Sequence, residues 1–167
     1  MHPLKEIPMT MLMQTEEYAS STSVIKKLRR LYDRLELLPL SLLQFMARVS
    51  MATIFWRAGQ SKLANWDLTL QLFASEYKVP VLPPELAAPM AASVELTTPI
   101  LLILGLATRV ACLPMIGMTL VIQTFVYPQS WVEHLTWMTF LLLLLSRGPG
   151  VISLDHVFKR IFDHSAK

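Results

Sequence analysis

Thiol chemistry has almost nothing to work with in this sequence: Cys112 is the one cysteine, set inside an apolar stretch. It can close no intramolecular disulfide and belongs to no CxxC pair, so any redox role must draw on a bound cofactor or a partner. Charge is scarce as well, 16% of residues against 53% hydrophobic, a balance that points away from a soluble domain and toward a membrane protein. The motifs of common catalysts are missing: there is no GxSxG, no HExxH, no P-loop and no dinucleotide glycine pattern. No second histidine stands three or four residues from His134, so no metal site is expected there. Met46, Met51, Met115 and Met118 read as packing residues rather than copper ligands. The first twenty residues hold no apolar run of the kind a cleavable signal peptide needs, and none is expected. The net charge of +3 comes without an aromatic-interleaved basic face, so nucleic acid is not an expected partner.

What the chain does have is four apolar segments: Pro39–Ala58, Leu86–Leu106, Val110–Val126 and Trp131–Ser146. Each is near the ~17–25 residues that a helix needs to cross a bilayer. The expected fold is therefore all-α, a four-helix transmembrane bundle. Ahead of it, "STSVIKKLRRLYDRLELLP" repeats Val24, Ile25, Leu28, Leu31, Tyr32 and Leu35 at helical spacing with bases opposite, the pattern of an amphipathic interfacial helix. The expected organisation is a flexible tail over 1–23, that helix over 24–38, the membrane domain over 39–158 and a cytoplasmic tail over 159–167.

Short connections, "GLATR" and "YPQSW", make the last three segments sequential antiparallel neighbours. The long loop, 59–85, contains "NWDLTLQLFASEY", amphipathic enough for a short helix with Trp66, Leu70 and Phe73 near one face. The prolines of "VPVLPPEL" then break it. Bases concentrate on one side: from Lys5 to Arg34, then Arg109, Arg147 and the tail, against Arg57, Lys62 and Lys78 on the other. That asymmetry places both termini in the cytoplasm.

Two charges fall inside the apolar segments. Glu95 lies nine residues from Leu86 and Arg48 ten from Ala58, about 13 and 15 Å deep at ~1.5 Å per residue. In antiparallel helices those depths coincide, so Arg48 is the expected counter-ion of Glu95. The pair is either a device that fixes helix register or the polar floor of a cavity that binds a headgroup or relays a proton. Above it, Arg57, Gln60, Lys62, Gln123, Glu133 and His134 are candidates for the rim of an outer pocket, with Trp56 and Trp137 as aromatic walls. Ordinary interfacial snorkelling is the plainer reading of that rim. Near the end of the chain, Asp155 is expected to cap a following helix or to pair with Arg109 or Arg147.

The stretches "ARVSMATIFWRAGQSKL", "VELTTPILLILGLATRVA" and "LLLLLSRGPGVISLD" together resemble the DoxX family of small four-helix bacterial membrane proteins. The residues that carry the resemblance are Arg48, Gly59, Lys62, Glu95, Gly105, Arg109, Gly148, Gly150 and Asp155, over about Pro39 to Phe158. The resemblance implies a multi-pass protein of the inner membrane, in contact with lipid and with protein partners in a membrane complex. Some members of the family are associated with quinone-linked oxidation of sulfur compounds or with complexes that manage oxidative stress. On that basis the expected function is a membrane subunit of a redox complex that binds quinone between its helices. The alternatives are a non-catalytic anchor or assembly factor, and a small-solute or metal-handling membrane protein.

Overall fold

The computed structural model describes residues 39–165, and the expected tail and interfacial helix over 1–38 lie outside that range. The described residues are helical, with no strand among them. Helix α1 is Leu40–Ala64 and α2 is Trp66–Leu72, continued by a π-helical turn over Phe73–Tyr77. Helix α3 is Pro84–Leu104, and α4 is Thr108–Val121, continued by a second π turn over Ile122–Val126. A 3₁₀ turn, Pro128–Ser130, leads into α5, Trp131–Arg147, and α6 is Leu154–Ser165.

The four long helices pack in a closed order: α1 on α3, α3 on α4, α4 on α5 and α5 back on α1. Their shared core is Ala47, Met51, Ala52 and Phe55 of α1 with Leu102, Ala111, Cys112, Met115, Leu141 and Leu144. Alanines at the facing positions let helix backbones approach, as membrane helices require when lipid is as apolar as the side chains. Ile100, Ile103, Val110, Leu113, Leu120, Leu135 and Leu142 point outward and stay exposed. Helix α3 with 21 residues and the α4 stretch Thr108–Val126 with 19 are long and apolar enough to cross a membrane.

Helix α1 corrects the expected boundary. It runs through Gly59 to Ala64, six residues past the expected end at Ala58, so the outer loop 59–85 is mostly helix. Gly59 is a point of close approach rather than a stop: a Cβ there would lie 2.9 Å from the Leu96 side chain and 3.0 Å from Glu95 Cβ. Asn65 then restarts the chain as the cap of α2, its side chain accepting from Leu68 N at 3.0 Å. The apolar face of α2 packs as expected, with Phe73 buried against Ala87 and Ala88 and flanked by Trp66, Leu70 and Tyr77.

At the other end of the ring, α3 closes with Gly105 in the left-handed region (φ +64°). Leu106 N donates to Leu101 O at 2.9 Å and Gly105 N to Leu102 O at 3.1 Å, the paired bonds of a Schellman ending. Helix α4 has no cap from its own preceding residue. Asp155, 47 residues further on, supplies it: Oδ1 accepts from Ala107 N at 2.7 Å and Oδ2 from Thr108 N at 3.0 Å. Asp155 thus caps neither the helix that follows it nor an arginine at hydrogen-bond distance. Its own N–H donates to Gly105 O at 2.9 Å, which ties α6 to the α3–α4 turn. Arg109 donates to Ser146 O at 3.2 Å and Gln44 to Gly148 O at 3.0 Å. Gly150 is cradled between Ser41 and Gln44, so the glycine-rich close is stitched to the start of α1.

Candidate functional site

A cavity of about 550 Å³ opens where α1 ends and α3 begins. Its walls are apolar, with Phe55, Phe73, Val94, Met118 and Trp137 among them. Into it converge Ser61, Lys62, Tyr77, Glu95, Tyr127, Glu133 and His134. That volume falls in the ~300–1,000 Å³ range of small-molecule sites, and a few polar groups in an apolar wall are their usual composition.

The register of α1 against α3 decides which charges meet. Gly59 packs on Glu95 and Leu96, and one turn later Lys62 reaches over Glu95, with Nζ 2.7 Å from Oε1. The same register sets Arg48 against Gly105, where a Cβ would run into the guanidinium. Eleven residues separate Arg48 from Gly59 and ten separate Glu95 from Gly105, so Arg48 and Glu95 stand about 15 Å apart along the helices at ~1.5 Å per residue. The expected Arg48–Glu95 pair does not form. Arg48, 1% exposed, donates instead to the Ile152 carbonyl, stacks with Cζ 5.4 Å from the Phe45 ring centre and has Asp155 as the carboxylate acting on it.

Glu95 is 3% exposed, and its second oxygen, Oε2, accepts no hydrogen bond among the described residues. Lys62 is held from behind, because its carbonyl accepts from Thr69 Oγ1 at 2.9 Å. His134, also buried, packs edge-on against Trp137 with ring centres 5.0 Å apart. Gln123 does not line the cavity but supports His134 from outside it, Nδ1 lying 2.7 Å from Gln123 Oε1. Gln123 Nε2 donates to Pro128 O at 2.9 Å, so the amide oxygen is the end turned to the histidine. The network therefore assigns the proton to Nδ1, and in the neutral ring Nε2 keeps its lone pair.

Of the expected rim, Lys62, Glu133 and His134 line the cavity with Trp137, and Gln123 supports it. Arg57 and Gln60 are exposed outside it, and Trp56 borders a separate shallow cleft with Pro99 and Ile103. These three correct the expectation. They lie on α1, and its helical continuation turns them away from the side that carries Ala58, Ser61 and Lys62.

Sequence reasoning missed Tyr77, the last residue of the first π turn, and Tyr127, which directly follows the second, as residues of the site. Their rings meet at 6.0 Å, and Tyr127 donates to Glu76 Oε1 at 3.1 Å. Burial, together with hydrogen bonds involving Tyr77 and Glu76, pushes the Tyr127 hydroxyl above the ordinary tyrosine range and keeps it protonated. Each π turn carries a phenylalanine and leads to a tyrosine, in "FASEY" and "IQTFVY", and that was the signal; π turns gather at functional sites.

Residues 43–128, which span most of α1 through the second π turn, match the DoxX family. The chain belongs to the DoxX family. No curated protein and no solved structure matches it. With its two long apolar helices and outward-facing aliphatic side chains, this DoxX protein is a membrane protein in contact with lipid. The matched stretch contains Lys62, Glu95 and Gln123 but ends before Glu133 and His134, so the fourth wall of the cavity is contributed from beyond it. Gly105, Arg109, Gly148, Gly150 and Asp155 gather at the opposite end of the ring, where they hold turns and helix ends together.

Proposed function

We propose that this DoxX protein is a membrane subunit of a redox complex whose cavity at Lys62 and Glu95 binds the ring of a quinone. The observation that carries the reading is a buried carboxylate with one oxygen left over, on the wall of an otherwise apolar cavity of ligand size. A buried polar atom without a partner is costly, and one that borders a cavity is accounted for when a ligand supplies the missing bond. The residues present fit a quinone: Phe55 and Trp137 offer aromatic faces, and Lys62, Glu95 and His134 offer hydrogen-bonding groups at its edge.

A bound quinone would supply two-electron, two-proton chemistry, with electrons exchanged at a redox centre on a partner subunit. The chain's own share is to bind and orient the ring, exclude water and hold a proton at Glu95 or His134. Arg48 takes no part, since its guanidinium belongs to the far end of the ring. The protein lies in a bacterial inner membrane with both termini cytoplasmic, which sets the cavity toward the outer leaflet and the Arg48–Asp155 end inward.

An anchoring or assembly role is the second reading, and α6 favours it: Val157, Phe158 and Phe162 are exposed on one side of an amphipathic helix. The metal-handling alternative gains nothing, because no group of three or more His, Cys, Asp or Glu side chains is placed to hold an ion among the described residues.

The test is solvent extraction of the purified full-length protein, before and after incubation with a quinone pool, with quinones in either redox state identified by mass spectrometry. Ligand is expected with the native protein and depleted in Ala58→Phe, which fills the cavity. Its absence from the native protein under both conditions would end the quinone reading.

A further inference from the structure

We infer that the cavity is built for the reduced, hydroxyl-bearing form of its ring ligand, with Glu95 as the residue that sets the preference. The inference rests on the quinone reading and refines it. Two atoms on the buried polar residues of the cavity lining are left with bonds to accept rather than to give. Glu95 Oε2 accepts nothing from the protein, while Oε1 is taken by Lys62. His134 spends its Nδ1 proton on Gln123, whose amide is oriented by the Pro128 carbonyl, so neutral His134 retains an acceptor at Nε2.

A hydroquinone carries two hydroxyl donors, and a quinone carries carbonyl acceptors alone. Opposite Oε2 of the Glu95 carboxylate, in its ion pair with Lys62, a carbonyl leaves both groups unpaired and sets two electronegative oxygens against each other. Lys62 does not offset this difference. Its remaining N–H groups can donate to a carbonyl oxygen or to a hydroxyl oxygen, so it serves both forms of the ligand. The discrimination therefore falls to the acceptors. Sites built around a ligand hydroxyl reject the analogue that lacks it far more strongly than apolar contacts alone would.

The test is anaerobic equilibrium binding to the full-length protein in nanodiscs, with binding to empty discs subtracted. The probes are a short-tailed benzoquinone, its hydroquinone and the dimethyl ether of that hydroquinone. The hydroquinone is expected to bind at least about tenfold more tightly than either of the others. In Glu95→Gln, whose amide adds donors, the preference should shrink to about threefold or less. Equal affinities, or tighter binding of the quinone or the ether, would overturn the inference and leave the quinone site standing. An undiminished preference in folded Glu95→Gln would remove Glu95 from the role. Should that variant not fold, the ranking of the three probes on the native protein decides alone. No binding of any probe would bring down the quinone reading itself.

Discussion

Lys62 Nζ and Glu95 Oε1 lie 2.7 Å apart, 33 residues distant in sequence, and form a salt bridge. The contact exists because α1 stays helical through Gly59, whose missing side chain lets α3 come close enough for the next turn of α1 to cover Glu95.

Removing one partner of that pair should be worse than removing both. Lys62→Met leaves Glu95 buried without a counter-charge and is expected to cost roughly 3–5 kcal/mol. Lys62→Met combined with Glu95→Leu replaces the pair with apolar side chains and should recover most of that loss. Thermal unfolding of the single and double variants in one detergent checks it, and additive losses would contradict the pairing.

Arg48 and Glu95 should behave as independent sites. Their separation of about 15 Å along the helices predicts a coupling no greater than about 0.5 kcal/mol in a double-mutant cycle of Arg48→Gln and Glu95→Gln. Arg48→Gln should also leave ligand affinity at the cavity within about twofold. A large coupling would restore the ion pair that the helix register breaks.

Two glycines should respond to alanine in opposite directions. At Gly105 the left-handed φ of +64° and the adjacent Arg48 guanidinium both oppose a Cβ, and Gly105→Ala is expected to destabilise by at least about 2 kcal/mol. At Gly117, inside α4, a Cβ would meet nothing within 4 Å, so Gly117→Ala should stabilise by about 0.5–1 kcal/mol. Unfolding midpoints of the two variants provide the comparison, and equal shifts would refute it.

Asp155→Ala should loosen the start of α4 from a distance. Loss of two charge-assisted bonds to Ala107 N and Thr108 N is expected to cost about 1–2 kcal/mol. Amide hydrogen exchange should accelerate at residues 107 and 108 before it does so in the middle of α4. Unchanged exchange there would show that the cap is dispensable.

Much of this molecule can be read from its sequence because a bilayer restricts what a chain can do. Apolar segments of spanning length must be helices, since lipid offers no partner for backbone N–H and C=O groups. Helices α3 and α5, and α4 taken together with its π turn, accordingly fall within about two residues of their expected bounds. Lys62, Glu133 and His134 were legible as a group for a related reason: polar side chains near one end of apolar helices share a depth whatever the packing. Gly59 was misread because glycine marks a helix end and a close helix crossing alike, and nothing local separates the two. Its neighbour α3 does. The partner of Glu95, the turning of Arg57 and Gln60 away from the cavity and the capping of α4 by Asp155 all depend on register and rotation between helices. Those follow from side chains that meet across tens of residues, so hydropathy could place each charge by depth and only tertiary packing could choose its partner.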